Sequence, residues 1–167
     1  MHPAQLPEEI LLTQTDVEPL RTGGPGGQHR NRNATGVLLI HKPSGVKASA
    51  TERRSRKDNH REALLRLRKK LAIEKRTPPG ERCPSELWES RLRSRRIKVN
   101  PNHSDFPALL AELLDLLMHE KDDLQIVAKA LGTSASQLVR LLSLEPKALA
   151  NLNARRHQAG LKPLRSS

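Results

Sequence analysis

Residues 21–31 read Arg-Thr-Gly-Gly-Pro-Gly-Gly-Gln-His-Arg-Asn. Four glycines and a proline between Thr22 and Gln28 exclude helix and strand and predict a loop. A short polar, basic segment follows at His29–Asn33, read as a helical turn. Gly36–His41 (Gly-Val-Leu-Leu-Ile-His) is rich in strand formers, and Val46–Ala50 is a shorter alternating segment. Lys42-Pro43-Ser44-Gly45 between them suits a hairpin connection, with Pro fixing φ and Gly permitting a positive one.

Working outward, Ile10–Arg21 mixes apolar and polar positions and is expected as a first strand. Downstream, Glu52–Glu74 is helical: Ala63, Leu64, Leu67, Leu71 and Ala72 form one apolar stripe, with Arg and Lys over the remainder. Thr77-Pro78-Pro79-Gly80 ends that helix. Glu81–Val99 is expected as a second amphipathic helix with Leu87, Trp88 and Leu92 and a basic run from Arg91 to Lys98. Asn100–Pro107 reads as a linker. Four further helices are expected at Ala108–His119, Asp123–Leu131, Ser134–Leu142 and about Pro146–Gln158. The fold class is α+β: a small domain with a mixed β-sheet packed on a basic helix, then a small all-α unit. The expected boundaries are 1–76 for the loop-bearing domain, 77–104 for a basic helix and linker, and 105–167 for the helical unit.

The chain of 167 residues has a formal charge of +12, which favours a polyanionic partner. Residues 1–104 hold 22 Lys/Arg against 11 Asp/Glu, whereas residues 105–167 hold 8 against 7, so the polyanion belongs with the first part. Trp88 and Phe106 are the sole aromatics, so the core must be aliphatic. One cysteine, Cys83, excludes an intrachain disulfide and a thiolate zinc cluster, and no metal or other cofactor is expected. No apolar run reaches the roughly 18 residues of a membrane span, and Met1–Glu9 has no signal-peptide pattern. A cytoplasmic protein is the expectation.

The glycine-rich loop invites a nucleotide-binding reading, which its residues disfavour. Gln28 and His29 stand where a phosphate loop needs Lys and Ser/Thr, and the glycine spacing misses GxGxxG. Such a loop can instead bring backbone N–H groups close to a ligand. The Gln28 amide cannot act as a base near neutral pH, so the chemistry implied is positioning and electrostatic stabilisation. His29 has no visible acidic or hydroxyl partner, which leaves a loop-packing or RNA-contact role ahead of general base.

The run Arg21–Asn31 closely resembles the GGQ loop of bacterial-type class I peptide chain release factors. The likeness extends through Ala34–Ser49, a strand–turn–strand in that family, and through Glu52-Arg53-Arg54-Ser55, similar to its E-R-S-Q segment. Asn59 and Ala63 fit the helix that follows. The resemblance covers about residues 10 to 75 and implies that Gly26, Gly27 and Gln28 enter the peptidyl transferase centre of the large ribosomal subunit. There the Gln28 backbone N–H would stabilise the leaving 3′ oxygen of peptidyl-tRNA, and its side chain would restrict the nucleophile to water. N-methylation of Gln28 is also implied. Arg21, His29, Arg30, Arg32, Arg53, Arg54, Arg56 and Lys57 are the expected RNA contacts. Arg30, Arg32 and Arg56 depart from the usual family residues by adding charge.

About 20 residues precede the loop, which leaves no room in this sequence for a codon-reading domain. The layout resembles short rescue hydrolases, whose basic tail enters the mRNA channel; residues 81–98 would take that part. Residues 126–142 also resemble a helix-turn-helix around Gly132, against the plainer reading of a packing module. Two functions stay open. One is ribosome-dependent peptidyl-tRNA hydrolysis, with codon-independent rescue of stalled ribosomes ahead of ordinary termination. The other is a non-catalytic ribosome- or nucleic-acid-binding protein using a release-factor-like RNA anchor.

Overall fold

The fold was obtained as a computed structural model that describes residues 1–20 and 35–165. The chain divides into two compact units, Leu6–Leu71 and a second made of Met1–Gln5 with Ala72–Ser167.

In the unit Leu6–Leu71, helix α1 (Glu8–Thr13) leads into strand β1 (Thr15–Leu20). The expected strand over Ile10–Arg21 therefore begins as helix. A short apolar run such as Ile-Leu-Leu does not distinguish the two periods. Pro7 immediately before the helix, with Glu8 and Glu9 in its positively polarised first turn, decides for helix. Strands β2 (Gly36–His41) and β3 (Lys47–Ala50) complete a sheet of order β1-β2-β3. Expected as mixed, the sheet is antiparallel in both pairings, with Leu20 opposite Gly36 and Val37 opposite Ala50. A connection as short as residues 42–46 permits no parallel crossover. Gly45 takes φ +69 in that connection, and its N–H donates to His41 O at 2.8 Å.

Helix α2 (Arg56–Glu74) contributes its residues up to Leu71 to this unit. Its stripe of Ala63, Leu64, Leu67 and Leu71 is buried, as are Val37 and Leu39 of β2 and Ala48 and Ala50 of β3. Arg66 Nη1 donates to Ser49 O at 2.8 Å, and Lys70 Nζ to Lys47 O at 2.7 Å, which satisfies carbonyls on an edge strand. Strand β1, also an edge, exposes Asp16, Val17, Glu18 and Pro19, a composition that discourages strand addition.

In the second unit the helix expected over Glu81–Val99 is confined to α3 (Glu86–Arg91). Ser85 caps it, accepting from Trp88 N at 3.1 Å. The chain then turns into the hairpin β4 (Leu92–Arg93) and β5 (Arg96–Ile97) through Ser94 and Arg95 at φ 47 and 61. Tertiary contacts override helix propensity here. Trp88 is fully buried with its indole N–H on Leu131 O at 3.0 Å, and Thr133 Oγ1 donates to Arg95 O at 2.7 Å.

The remaining helices are α4 (Phe106–His119), α5 (Leu124–Ala130), α6 (Ala135–Ser143) and α7 (Pro146–Gln158), close to the spans expected. Helix α4 is buried from Phe106 to Leu117, including two carboxylates. Asp115 accepts from Arg76 Nη1 at 2.9 Å and Thr77 Oγ1 at 2.7 Å; Glu112 accepts from Ser85 N at 2.8 Å and Ser85 Oγ at 2.5 Å. Burial raises the Glu112 pKa, opposed by the Ser85 bonds, and burial likewise pushes the Cys83 thiol up, against thiolate reactivity. At the other end of α4, Asp122 forms a two-pronged ion pair with Arg155 of α7.

The 3-10 turn Pro3–Gln5 lies against α4. The buried His2 imidazole accepts from Ala4 N at 3.0 Å and places Nε2 at 3.2 Å from Lys75 O, consistent with a neutral ring carrying its proton on Nε2. Burial lowers its pKa below 6.5, with Asp115 opposing. Below pH 6.5 the unfolded chain binds this proton more readily, so the contribution of His2 to stability is present above that pH and is lost as pH falls. The stability of the wild type relative to His2→Gln, from urea midpoints, is therefore expected to decline as pH falls below about 6.5. A pH-independent difference would contradict the buried neutral ring.

Candidate functional site

The chain leaves the sheet at Leu20 and re-enters it at Gly36, partners in the β1–β2 register. The residues expected to act, Gly26, Gly27 and Gln28, belong to the segment joining these two ends and lie outside the described residues, as do Arg21, His29, Arg30 and Arg32. The geometry on which the segment stands is described.

Gly36 is required there. A Cβ would stand 2.4 Å from Leu20 O and 2.9 Å from the Thr51 methyl carbon, and the backbone carbonyl cannot yield without displacing β1. Next to it, the fully buried Asn59 makes three bonds. Its Oδ1 accepts from Arg53 N at 2.9 Å, while Nδ2 donates to Thr35 O at 2.8 Å and Arg53 O at 2.9 Å. One side chain thus ties the residue before β2 to the segment entering α2. The Thr35 hydroxyl adds a longer bond, 3.4 Å, to Arg53 O.

Arg53, Arg54, Arg56 and Lys57 are all exposed, in the turn before α2 and in its first turn. No acidic partner is found for them among the described residues. Asn59 fixes the main chain of Arg53 while leaving its guanidinium in solvent. Cations at a helix N-terminus oppose the helix dipole, at about 0.3–1 kcal/mol each, and Asp58 is the one acid in that turn. Such a placement costs stability and concentrates positive potential, which suits a polyanion.

Glu52, immediately before these cations, is engaged by Arg66 Nη1 at 2.8 Å and by Thr51 N at 2.9 Å. The Arg66 bond is the main cause that brings its carboxyl from 4.5 down to about 2. Arg66 also reaches Glu62 at 3.2 Å and Ser49 O, so Glu52 is bound to helix and sheet together. Among the described residues there is no group of side chains suited to hold a metal ion, and no helix long and apolar enough to cross a membrane.

Sequence reading gave no positioning role to three residues: Gly36, Asn59 and Arg66. Asn59 carried a signal, because it lies four and eight residues before Ala63 and Leu67 and so falls on the apolar stripe. A polar residue on a buried face needs internal partners.

The chain matches the RF-1 domain family over residues 6–104, more than half of its length. The chain belongs to that family. It is similar to the chloroplastic peptide chain release factor PrfB1 of Arabidopsis thaliana, 42% identical over 69 residues, 41% of this chain and 14% of that protein. Peptide chain release factor 1 of Caldicellulosiruptor saccharolyticus is 38% identical over 63 residues, 38% of this chain and 18% of the relative. A longer match, 102 residues at 31% identity, joins 58% of this chain to 28% of peptide chain release factor 1 of Chlamydia trachomatis. The chain thus spans between 14 and 28% of the length of these relatives. No solved structure matches it.

Two measurements test the base of the loop. Asn59→Ala is expected to lower unfolding stability by about 1–3 kcal/mol, because three backbone groups lose their partner. Asn59→Asp is expected to do at least as badly, since a carboxylate would face two carbonyl oxygens; wild-type stability for Asp would refute the assigned bonds. Separately, an NMR titration should place the Glu52 midpoint near 2 in the wild type and closer to 4.5 in Arg66→Gln. Stability from this pair is present above about pH 4.5 and lost as pH falls through about 2.

Proposed function

We propose that this chain promotes ribosome-dependent hydrolysis of peptidyl-tRNA, with Gly26, Gly27 and Gln28 as the catalytic residues. Membership of the RF-1 domain family supports the reading most strongly, because the match includes the Gly-Gly-Gln triplet with the strands and helix that follow it. On this reading the segment enters the peptidyl transferase centre. Water attacks the ester carbonyl carbon, the bond to the tRNA 3′ oxygen breaks, and the Gln28 N–H stabilises the charge that builds on that oxygen. Neither the glycines nor the Gln28 amide supplies a base, so free peptidyl-tRNA should be inert.

Arg21, His29, Arg30 and Arg32 would contact large-subunit RNA beside the triplet, and Arg53, Arg54, Arg56 and Lys57 would contact phosphates nearby. Methylation of Gln28 would fix its amide in the same site. The work would be done in the cytoplasm. Rescue of stalled ribosomes without codon recognition is the trigger we favour, on the basic run from Arg91 to Lys98, which resembles the basic tail of short rescue hydrolases. For residues 81–98 the mRNA channel remains a proposed location, entered as the folded surface of α3 and the β4–β5 hairpin.

The test is peptide release from ribosomes carrying a stop codon, a sense codon or no codon in the A site. Comparable release in all three is expected. Gln28→Pro, which removes the backbone donor, should reduce release by about a hundredfold or more. Release with the stop codon alone would contradict rescue; undiminished release by Gln28→Pro would contradict the catalytic role. Absence of release under every condition would favour the non-catalytic RNA anchor.

A further inference from the structure

The second unit has a basic groove that shares Arg96 and Lys98 with the segment proposed for the mRNA channel and adds Arg140 of helix α6. It is about 390 Å³ in volume and lies between the β4–β5 hairpin and helix α6. Arg96, Lys98 and Arg140 line it, with Gln137 alongside and Ile97 and Leu141 as apolar wall. No Asp or Glu is among the lining residues, and the three cations have no acidic partner among the described residues. All three are exposed.

The groove depends on a strained turn. Ser94 and Arg95 both hold positive φ, which non-glycine residues disfavour, and no glycine is used to relieve it. The surroundings enforce the conformation from α6's side. Thr133 Oγ1 donates to Arg95 O at 2.7 Å, and Arg95 Nη2 donates back to Thr133 O at 3.2 Å. Gly132 takes φ +65, the left-handed conformation that favours glycine, in the turn just before Thr133. Positive φ at both central residues is the geometry of a two-residue hairpin turn. Held by the Thr133 bonds, the turn leads into Arg96 of β5 and the following Lys98, which line the groove with Arg140.

We infer that this groove binds the phosphate backbone of RNA, as a second RNA contact separate from the loop of the other unit. Trp88 and Phe106 are both fully buried, and no aromatic or imidazole ring is among the residues lining the groove, so none is placed there to stack on a base. Three unpaired cations on an apolar wall suit phosphodiester charge rather than base edges. The contact is accordingly weakly dependent on sequence and strongly dependent on salt. Helix α6 offers one exposed cation, Arg140, and is one wall of a phosphate groove rather than a base-reading helix.

The experiment is fluorescence anisotropy with the full chain and a labelled single-stranded RNA, in salt from about 50 to 300 mM. Arg96→Gln/Lys98→Gln/Arg140→Gln is expected to bind at least roughly tenfold more weakly at low salt, with the log K against log salt slope shallower by about 2. Lys121→Gln/Lys129→Gln/Lys162→Gln removes equal charge from exposed positions of the same unit and should change affinity by less than about twofold. Arg96→Lys/Arg140→Lys should keep most of the binding, which separates lost charge from lost folding. Binding of free RNA is read without ribosomes or peptidyl-tRNA, so failure of the release reading leaves this result intact. Equal losses in the two Gln triples, or unchanged binding by the groove triple, would overturn the inference. So would tighter binding of DNA of the same sequence, or displacement of RNA by polyglutamate of matched charge.

Discussion

Everything in the loop-bearing unit turns on Asn59, a buried amide that must find partners inside the protein. Its three bonds fix Thr35 and both backbone groups of Arg53, so the point where the chain re-enters the sheet and the point where the cations leave it are set by one side chain. On the other side of that entry, Gly36 lets β2 begin hard against the Leu20 carbonyl. A segment that places backbone donors, as proposed for residues 26–28, would need fixed ends more than fixed side chains. Arg66 extends the same logic by tying Glu52, Glu62 and Ser49 to α2.

The second unit meets the shortage of aromatic residues differently. Its central helix α4 is buried nearly along its length, and the two carboxylates caught inside it serve as anchors for Thr77, Arg76 and Ser85. Breaking a buried charge from its partner is costly, so these bonds specify where the proline-rich stretch before α3 must lie. The hairpin that follows sits on the Gly132–Thr133 turn through paired bonds with Arg95. The positive charge of residues 91–98 is therefore carried on a folded surface.

Much of this was legible in the sequence. The strands of residues 36–50, their turn, the stripe of α2 and the helices from α4 to α7 followed from composition and period, because each pattern was long or flanked by Gly and Pro. Two segments were misread where local signals were short or overruled. Ile10–Leu12 is too brief an apolar run to fix a period, and Pro7 with Glu8 and Glu9 made it helical. Residues 92–97 have the composition of a helix but give it up for Trp88 burial and the Thr133 bonds, partners that lie about forty residues away and leave no local mark. The expected site divides likewise. Its cations at Arg53, Arg54, Arg56 and Lys57 are exposed as a polyanion surface requires, whereas the contacts that set their main chain come from Asn59, whose meaning is geometric.

The central claim is that the Gly26-Gly27-Gln28 segment acts by presenting a backbone donor to the leaving oxygen of peptidyl-tRNA. It is tested most directly by a structure of the chain bound to a ribosome carrying the deacylated product tRNA, whose 3′ oxygen is the one released. The account predicts the Gln28 backbone nitrogen within about 3–3.5 Å of that oxygen. A bound chain with that segment outside the peptidyl transferase centre would contradict it.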